Sequence, residues 1–447
     1  MKLYEEYKET NIFWATSIPV NWKEIKIKHL FSERSEKGFP NEPLLSATQR
    51  RGVIPTALFE TRTVVATKGL ETLKRVDIGD FVISLRSFQG GIEYAYYSGI
   101  ISPAYTIMTP KSLIYKGYFK YLAKSYLFID LLKTCVTGIR EGQNINYSLL
   151  KKSYLPVPSW DEQIKIERFL DFKILKINKF IKDTKREIEL LKEQKQAEIN
   201  RAVTKGLDSN APMKDSGIDW LGEIPEHWEV KFLSQVCKEQ CVSNRFVKNQ
   251  NLLSLSYGRI KNKDINSTEG LLPASFDTYQ IVNSGNIILR LTDLQNDHKS
   301  LRTGLVTQTG IITSAYTCIL PNQLILPEYL HSLLHSFDIC KVFYGMGGGL
   351  RQSIGFKEIR RLLTLLPPLD EQKIIIERCN LLSRNIEKMI SGIEKEISLT
   401  QEYKISLISD VVTGKVDVRD VKIEEIFELE TLDEVEAELE VEEVTEE

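Results

Sequence analysis

One fifteen-residue phrase occurs twice in this chain, and its second occurrence starts 206 residues after the first. Residues 8–22 read KETNIFWATSIPVNW, and residues 214–228 read KDSGIDWLGEIPEHW. Lys8 pairs with Lys214, Ile12 with Ile218, Trp14 with Trp220, Ile18-Pro19 with Ile224-Pro225 and Trp22 with Trp228. The match continues downstream with small changes of shift. Gly99-Ile100-Ile101 and Ala104-Tyr105-Thr106 recur as Gly310-Ile311-Ile312 and Ala315-Tyr316-Thr317, at a shift of 211. Asp161-Glu162-Gln163, Glu187-Ile188 and Val203-Thr204 recur as Asp370-Glu371-Gln372, Glu396-Ile397 and Val412-Thr413, at a shift of 209. A repeat of about 200 residues far exceeds the unit of a solenoid and holds a domain plus an appendage. The chain is thereby limited to folds that can be built twice.

Within each copy the first part has the texture of a strand-rich mixed domain. The runs Asp80–Arg86 and Gly285–Arg290 are short, apolar and bounded by glycine, and Ala104–Met108 and Ala315–Ile319 read as a second buried strand. Helical stretches follow near 117–133 and 327–343, and proline closes each domain at Pro156/Pro158 and Pro367-Pro368.

Residues 161–203 and 370–412 differ in kind: Lys, Glu, Ile and Leu dominate and proline is absent. Leu170, Ile174, Ile177, Ile181, Ile188 and Leu191 step by threes and fours, with Thr184 in register; Ile386, Ile390, Ile393 and Ile397 repeat the pattern. That period is the seam of a coiled coil. Each helix would be roughly 60 Å long at 1.5 Å per residue. Gly392 is a candidate bend in the second. Asp161 and Asp370 follow proline, where a helix start is expected. An apolar stripe must be covered by its own domain, by a second copy of the chain, or by the other helix; matching periodicity in one chain favours the last. Antiparallel pairing would relate the two domains by a pseudo-two-fold axis.

Composition excludes several classes. No run of 18 apolar residues exists and MKLYEEYKET lacks a signal-peptide core, so neither membrane nor export is expected. Six cysteines, at 135, 237, 241, 318, 340 and 379, are not paired by the repeat and read as thiols of a reducing cytoplasm. The formal charge is −2, but residues 421–447 carry 13 acids and one lysine, so the tail holds −12 and the body +10. A basic body suits a polyanionic partner, and an acidic tail is usually solvating and disordered. Catalytic signatures are missing: there is no phosphate-binding loop and no Asn/Asp-Pro-Pro-aromatic turn, since Leu366 and Leu369 flank Pro367-Pro368. His331 and His335 have metal-ligand spacing without supporting ligands, and Cys237/Cys241 lack a second pair.

This layout resembles the specificity (S) subunit of type I restriction–modification systems. The resemblance covers nearly all of residues 8–415. It rests on Lys214–Trp228 with its twin Lys8–Trp22, on Pro367–Gln372 with its twin Pro158–Gln163, and on two long helices ending in Val203-Thr204-Lys205-Gly206 and Val412-Thr413-Gly414-Lys415. It implies an α+β chain: two similar mixed α/β target-recognition domains, 1–157 and 207–366, and two conserved helices, 158–206 and 367–415, paired as an antiparallel coiled coil. Residues 416–447 form the tail. It also implies a non-catalytic, cytoplasmic prokaryotic protein that reads a bipartite site on double-stranded DNA, one half per domain. The helices, through the seam residues above, would set the half-site separation and dock two methyltransferase subunits. Motor-nuclease subunits would join them. S-adenosylmethionine, ATP and Mg would sit on those partners, with no cofactor or metal on this chain.

The two copies disagree most where a reader of two different half-sites must differ. Residues 86–98 do not match 292–308, and Arg86, Ser87, Gln89, Gln295, Lys299 and Arg302 there have donors or acceptors suited to DNA. The Gly-rich segments 138–144 and 347–353 add Arg140, Gln143, Asn144, Arg351 and Gln352, and basic positions Lys151 and Arg360 follow. Each of these could equally be a solvated loop or turn residue. Deleting residues 421–447 is expected to leave DNA affinity unchanged; tighter binding by the truncated chain would instead make the tail a mimic of DNA charge.

Overall fold

The computed structural model describes residues 2–12, 14–49, 51–58, 69–137, 144–218, 220–245, 249–265, 275–294, 297, 300–346 and 353–422. The chain forms two compact units, Met1–Arg186 with Ile393–Glu447, and Glu187–Gly392. Each therefore contains one mixed domain and a part of both long helices. Those helices are continuous over Trp160–Lys205 and Leu369–Val412.

In the first unit the central sheet is antiparallel, in the order Phe31–Arg34, Thr106–Pro110, Phe81–Ile83, Glu93–Tyr94. Phe81, Val82 and Ile83 are all buried because the sheet is covered on both sides. Side chains alternate across a strand. Phe81 and Ile83 thus enter the large core with the helices Lys116–Leu122 and Tyr126–Thr134, while Val82 enters a smaller core with Leu45, Val53, Val76 and Ile107. That smaller core is roofed by the hairpin Leu45–Thr48/Gly52–Pro55. The second unit repeats the plan. Its sheet runs Cys237–Glu239, Thr317–Pro321, Ile287–Leu289, Thr303–Leu305. Ile287 and Leu289 face the large core, and Ile288 faces the smaller one with Leu253, Val282 and Val306. The hairpin here is Leu253–Ser256/Arg259–Asn262, and a single helix, Pro327–Ile339, replaces the earlier pair.

The duplicated words meet at one joint in each unit. Trp22 and Trp228 are fully buried. The Trp22 indole donates to Glu162 Oε1 at 3.0 Å, and the Tyr4 hydroxyl donates to the same oxygen at 2.7 Å. The Trp228 indole donates to Glu371 Oε1 at 3.0 Å. The neighbouring glutamine fixes the helix start. Gln163 accepts from the Tyr115 amide and donates to the Leu113 and Pro158 carbonyls; Gln372 accepts from the Leu326 amide and donates to the Leu324 and Pro367 carbonyls. The end of the other helix arrives at the same place. The Tyr118 hydroxyl lies 2.9 Å from the Val412 carbonyl, and the Tyr329 hydroxyl 3.0 Å from the Val203 carbonyl. A buried hydrogen bond to a charged group contributes about 1.5–3 kcal/mol.

Inside each unit the two helical segments run in opposite directions. In the first, Leu170, Ile174, Ile177 and Ile181 share a core with Leu407, Val411 and Val412; Lys165 reaches the Arg419 carbonyl, and Asn178 accepts from Lys404. In the second, Val203 shares a core with Ile375 and Cys379, and Lys195 bonds Glu387 at 3.0 Å. Ile188 and Ile386 are buried; Leu191, Ile390, Ile393 and Ile397 are half-buried. Gly392 lies within the unbroken second helix with open space around it, so the expected bend has no break in the helix to mark it.

Glycine ends both helices, in the left-handed region that favours it: Gly206 has φ +74° and Gly414 φ +80°. A Cβ on Gly414 would lie 2.5 Å from Pro19 Cδ, whereas one on Gly206 would lie 3.4 Å from Trp228. Alanine at either position is expected to cost about 1–2 kcal/mol for the backbone conformation. Gly414→Ala adds a clash with the Pro19–Trp22 face and is expected to lower the urea midpoint more than Gly206→Ala. Equal losses would contradict this packing.

Candidate nucleic-acid interface

After the strand Phe81–Ile83 the backbone turns into a single helical turn, Ser87–Gly90. It leaves Arg86 and Gln89 exposed. Ser87 is different: it is 1% exposed, and its Oγ accepts from the Ser84 amide at 2.8 Å. It is a structural pin of the turn and has no surface to offer a ligand.

Arg302 requires the larger correction. It is 0% exposed. Its Nη1 donates to the carbonyls of Arg290 at 3.1 Å and Thr292 at 2.8 Å, its Nη2 to those of Asp293 and Asp297, and its Nε to the Tyr344 hydroxyl at 2.9 Å. Its amide donates to Asp338 Oδ2 at 2.6 Å. The planar guanidinium is thus spent on four backbone carbonyls of the segment that follows the strand Ile287–Leu289. A fork of five donors satisfies carbonyls that burial would otherwise leave unpaired. Arg302 closes this loop from within and does not face solvent.

Among the other candidates, Asn144 is exposed on the short strand pair Val136–Thr137/Asn144–Ile145. Lys151 is half-buried and Arg360 exposed, in equivalent places just after the helical turns Tyr147–Leu150 and Phe356–Ile359. Their carbonyls accept from the amides of Lys28 and Ser234, so both basic positions are anchored alike. Arg140, Gln143, Gln295, Lys299, Arg351 and Gln352 lie outside the described residues. His331 and His335 lie side by side in the second unit, their rings tilted by 30° with centroids 6.0 Å apart. Burial and the neighbouring imidazole hold His331 down to about 4, and Thr303 Oγ1 lies 3.1 Å from His335 Nδ1. Among the described residues there is no cluster of three or more His, Cys, Asp or Glu placed to hold a metal, and no helix long and apolar enough to cross a membrane.

The structure brings a second element beside the variable loop in each unit, and sequence reasoning missed it. In the first unit the hairpin tip at Gln49 lies against Gly90: a Cβ there would be 3.3 Å from the Gln49 side chain. Lys124 ties the two together, donating to the Gln49 carbonyl at 2.8 Å, the Gly90 carbonyl at 3.0 Å and Glu93 at 2.7 Å. In the second unit the hairpin tip is Tyr257-Gly258, both with positive φ (45° and 74°). This is the backbone of a two-residue hairpin turn that normally selects Asn or Gly. Gly258 packs on Leu301 and His335, and the Tyr257 ring is 79% exposed. A signal was available: the repeat aligns Leu45 with Leu253 and Ser46 with Ser254, so the hairpins share a start and diverge after it.

No protein-family model matches the chain. It is 24% identical over 326 residues to a putative type I restriction enzyme specificity subunit (MjaX) of Methanocaldococcus jannaschii, covering 71% of this chain and 69% of that protein. The type I specificity subunit MjaVIII of the same organism is 24% identical over 438 residues, covering 92% of this chain and 97% of that one. Among solved structures, the HsdS subunit from Thermoanaerobacter tengcongensis has a TM-score of 0.52 at 11% identity, covering 89% of this chain and 98% of that one. A chain from a structure on assembly and conformational transition of a type I restriction–modification system has a TM-score of 0.57 at 12% identity, covering 89% and 99%. The chain is similar in sequence to type I specificity subunits and shares the HsdS fold.

Glu93 offers a pH test of the buried bracket. Burial raises its carboxyl from 4.5 to about 7, against the opposing pull of Lys124. A carboxyl raised on folding stabilises the protein below its unfolded value, and that contribution is lost as pH climbs through the folded value. The stability of the wild type relative to Glu93→Gln is therefore expected to fall between about pH 4.5 and pH 7, as read by denaturant unfolding. Parallel pH profiles for the two proteins would show that Glu93 is not buried in this way.

Proposed function

We propose that this chain is the non-catalytic specificity subunit of a type I restriction–modification complex. Each mixed domain reads one half of a bipartite site on double-stranded DNA. The two long helices pair antiparallel along their length, set the separation of the half-sites and dock two methyltransferase subunits. Motor-nuclease subunits join that assembly, and S-adenosylmethionine, ATP and Mg belong to the partners.

One observation supports this reading above the others. A single chain builds the same Trp–Glu joint twice, each time where one long helix starts and the other ends. Conserved joints with divergent loops suit a ruler carrying two different readers. The basic body supplies phosphate attraction that does not depend on sequence, and exposed Arg86 and Gln89 can form paired contacts with base edges. The similarity to type I specificity subunits points the same way.

Selection from a randomised duplex pool, with the methyltransferase partners present, is expected to return a split motif with a fixed gap. A contiguous motif, or none, overturns the reading. Inserting one heptad into both long helices is expected to lengthen that gap by about 10 Å, roughly three base-pair steps, with both half-sites unchanged. A gap that stays constant in a folded insertion variant would remove the ruler role.

A further inference from the structure

The variable loop of each domain is held from within by a cation, and in the first domain it leaves Arg86 and Gln89 exposed. In the first unit that cation is Lys124, whose ammonium spans the hairpin tip at Gln49, the loop at Gly90 and the buried Glu93. In the second it is Arg302, fully buried, with four loop carbonyls on its guanidinium. The two are not equivalent in sequence. At the 211-residue shift Lys124 corresponds to His335, which lies under the second hairpin tip at Gly258. The position that supports the tip is thus shared, in the turn between two helices in the first unit and within the helix Pro327–Ile339 in the second, but the charged brace has moved into the loop itself. The second loop is also the longer, which gives it carbonyls enough to wrap a guanidinium.

We propose that Lys124 and Arg302 are positioning residues for DNA recognition, each fixing from beneath the loop and hairpin tip that face one half-site, and neither touching DNA. The proposal rests on the reading above that each domain reads one half-site. Three ammonium donors meeting two carbonyls and a carboxylate leave that group none for a phosphate, and a guanidinium enclosed by protein cannot reach a base. What these cations set is geometry: pairs of hydrogen bonds to base edges tolerate little displacement, so a loosened loop loses discrimination before it loses affinity.

The test uses the full chain with its methyltransferase partners, the duplex selected by the wild type, and two derivatives in which one half-site is scrambled. Lys124→Met is expected to lower the preference for one intact half-site at least about tenfold, the scale of a lost base contact. The other half-site and the salt dependence of binding to random duplex are expected to stay unchanged, because phosphate contacts set that slope. Arg302→Met is expected to do the same at the opposite half-site, and Arg302→Lys and Lys124→Arg to restore part of the preference. Should Arg302→Met fail to fold, Lys124→Met, at a partly exposed position, carries the test alone. Folded variants that keep both preferences overturn the positioning role. Loss of both half-sites together with random-duplex binding would show a merely structural role and overturn it as well. A wild type with no split preference overturns the reading beneath it, which is a distinct result.

Discussion

The hydrogen bond from a buried indole to the glutamate in the first turn of a long helix is the contact on which the rest of this architecture depends. Trp22 with Glu162, and Trp228 with Glu371, tie the entry of each domain to the start of the helix that leaves it. The glutamine beside each glutamate locks that helix start onto three backbone groups of the domain. Proline and glycine complete the joint, because Pro19 and Pro225 pack on the glycines that end the opposite helix. The proline and the closing tryptophan of the duplicated phrase thus share one contact set in each copy. A buried indole N–H without an acceptor would cost more than the bond gains, which explains why Trp and Glu recur together.

The frame was legible in the sequence because it is periodic or duplicated. The threes and fours of Leu170–Leu191 and Ile386–Ile397 mark the faces that are buried or half-buried. The apolar triplets at 81–83 and 287–289 are the central strands. The bend expected at Gly392 does not interrupt the helix, since a glycine costs a long helix only about 1 kcal/mol. The candidate interface was legible only in outline. Arg86 and Gln89 are exposed, but Ser87 and Arg302 are internal. An arginine whose partners are backbone carbonyls leaves no pattern in a sequence, since any residue type supplies the same oxygen. Lys124 went unnoticed for the same reason: two of its three partners are main-chain atoms.

The two hairpins show how the copies diverge without losing register. The first has three residues between its strands and the second two, and both begin at the same leucine-serine pair. Shortening the turn forces positive φ on Tyr257, a conformation that costs an aromatic residue free energy. The aromatic residue at that tip is nonetheless exposed.

The alternation within three residues of one strand has an evolutionary consequence. Phe81 and Ile83 belong to the core that holds the helices, whereas Val82 belongs to the core under the hairpin; Ile287, Leu289 and Ile288 divide in the same way. The central sheet is therefore a partition between two packing problems that share a backbone but few side chains. Substitutions on one side can accumulate, change loop lengths and relocate a charged brace from the turn between two helices into a loop, and the other face of the strand need not respond. The loops and hairpin on one face can therefore vary while the helices on the other keep their packing, because only the thickness of a single sheet separates the two.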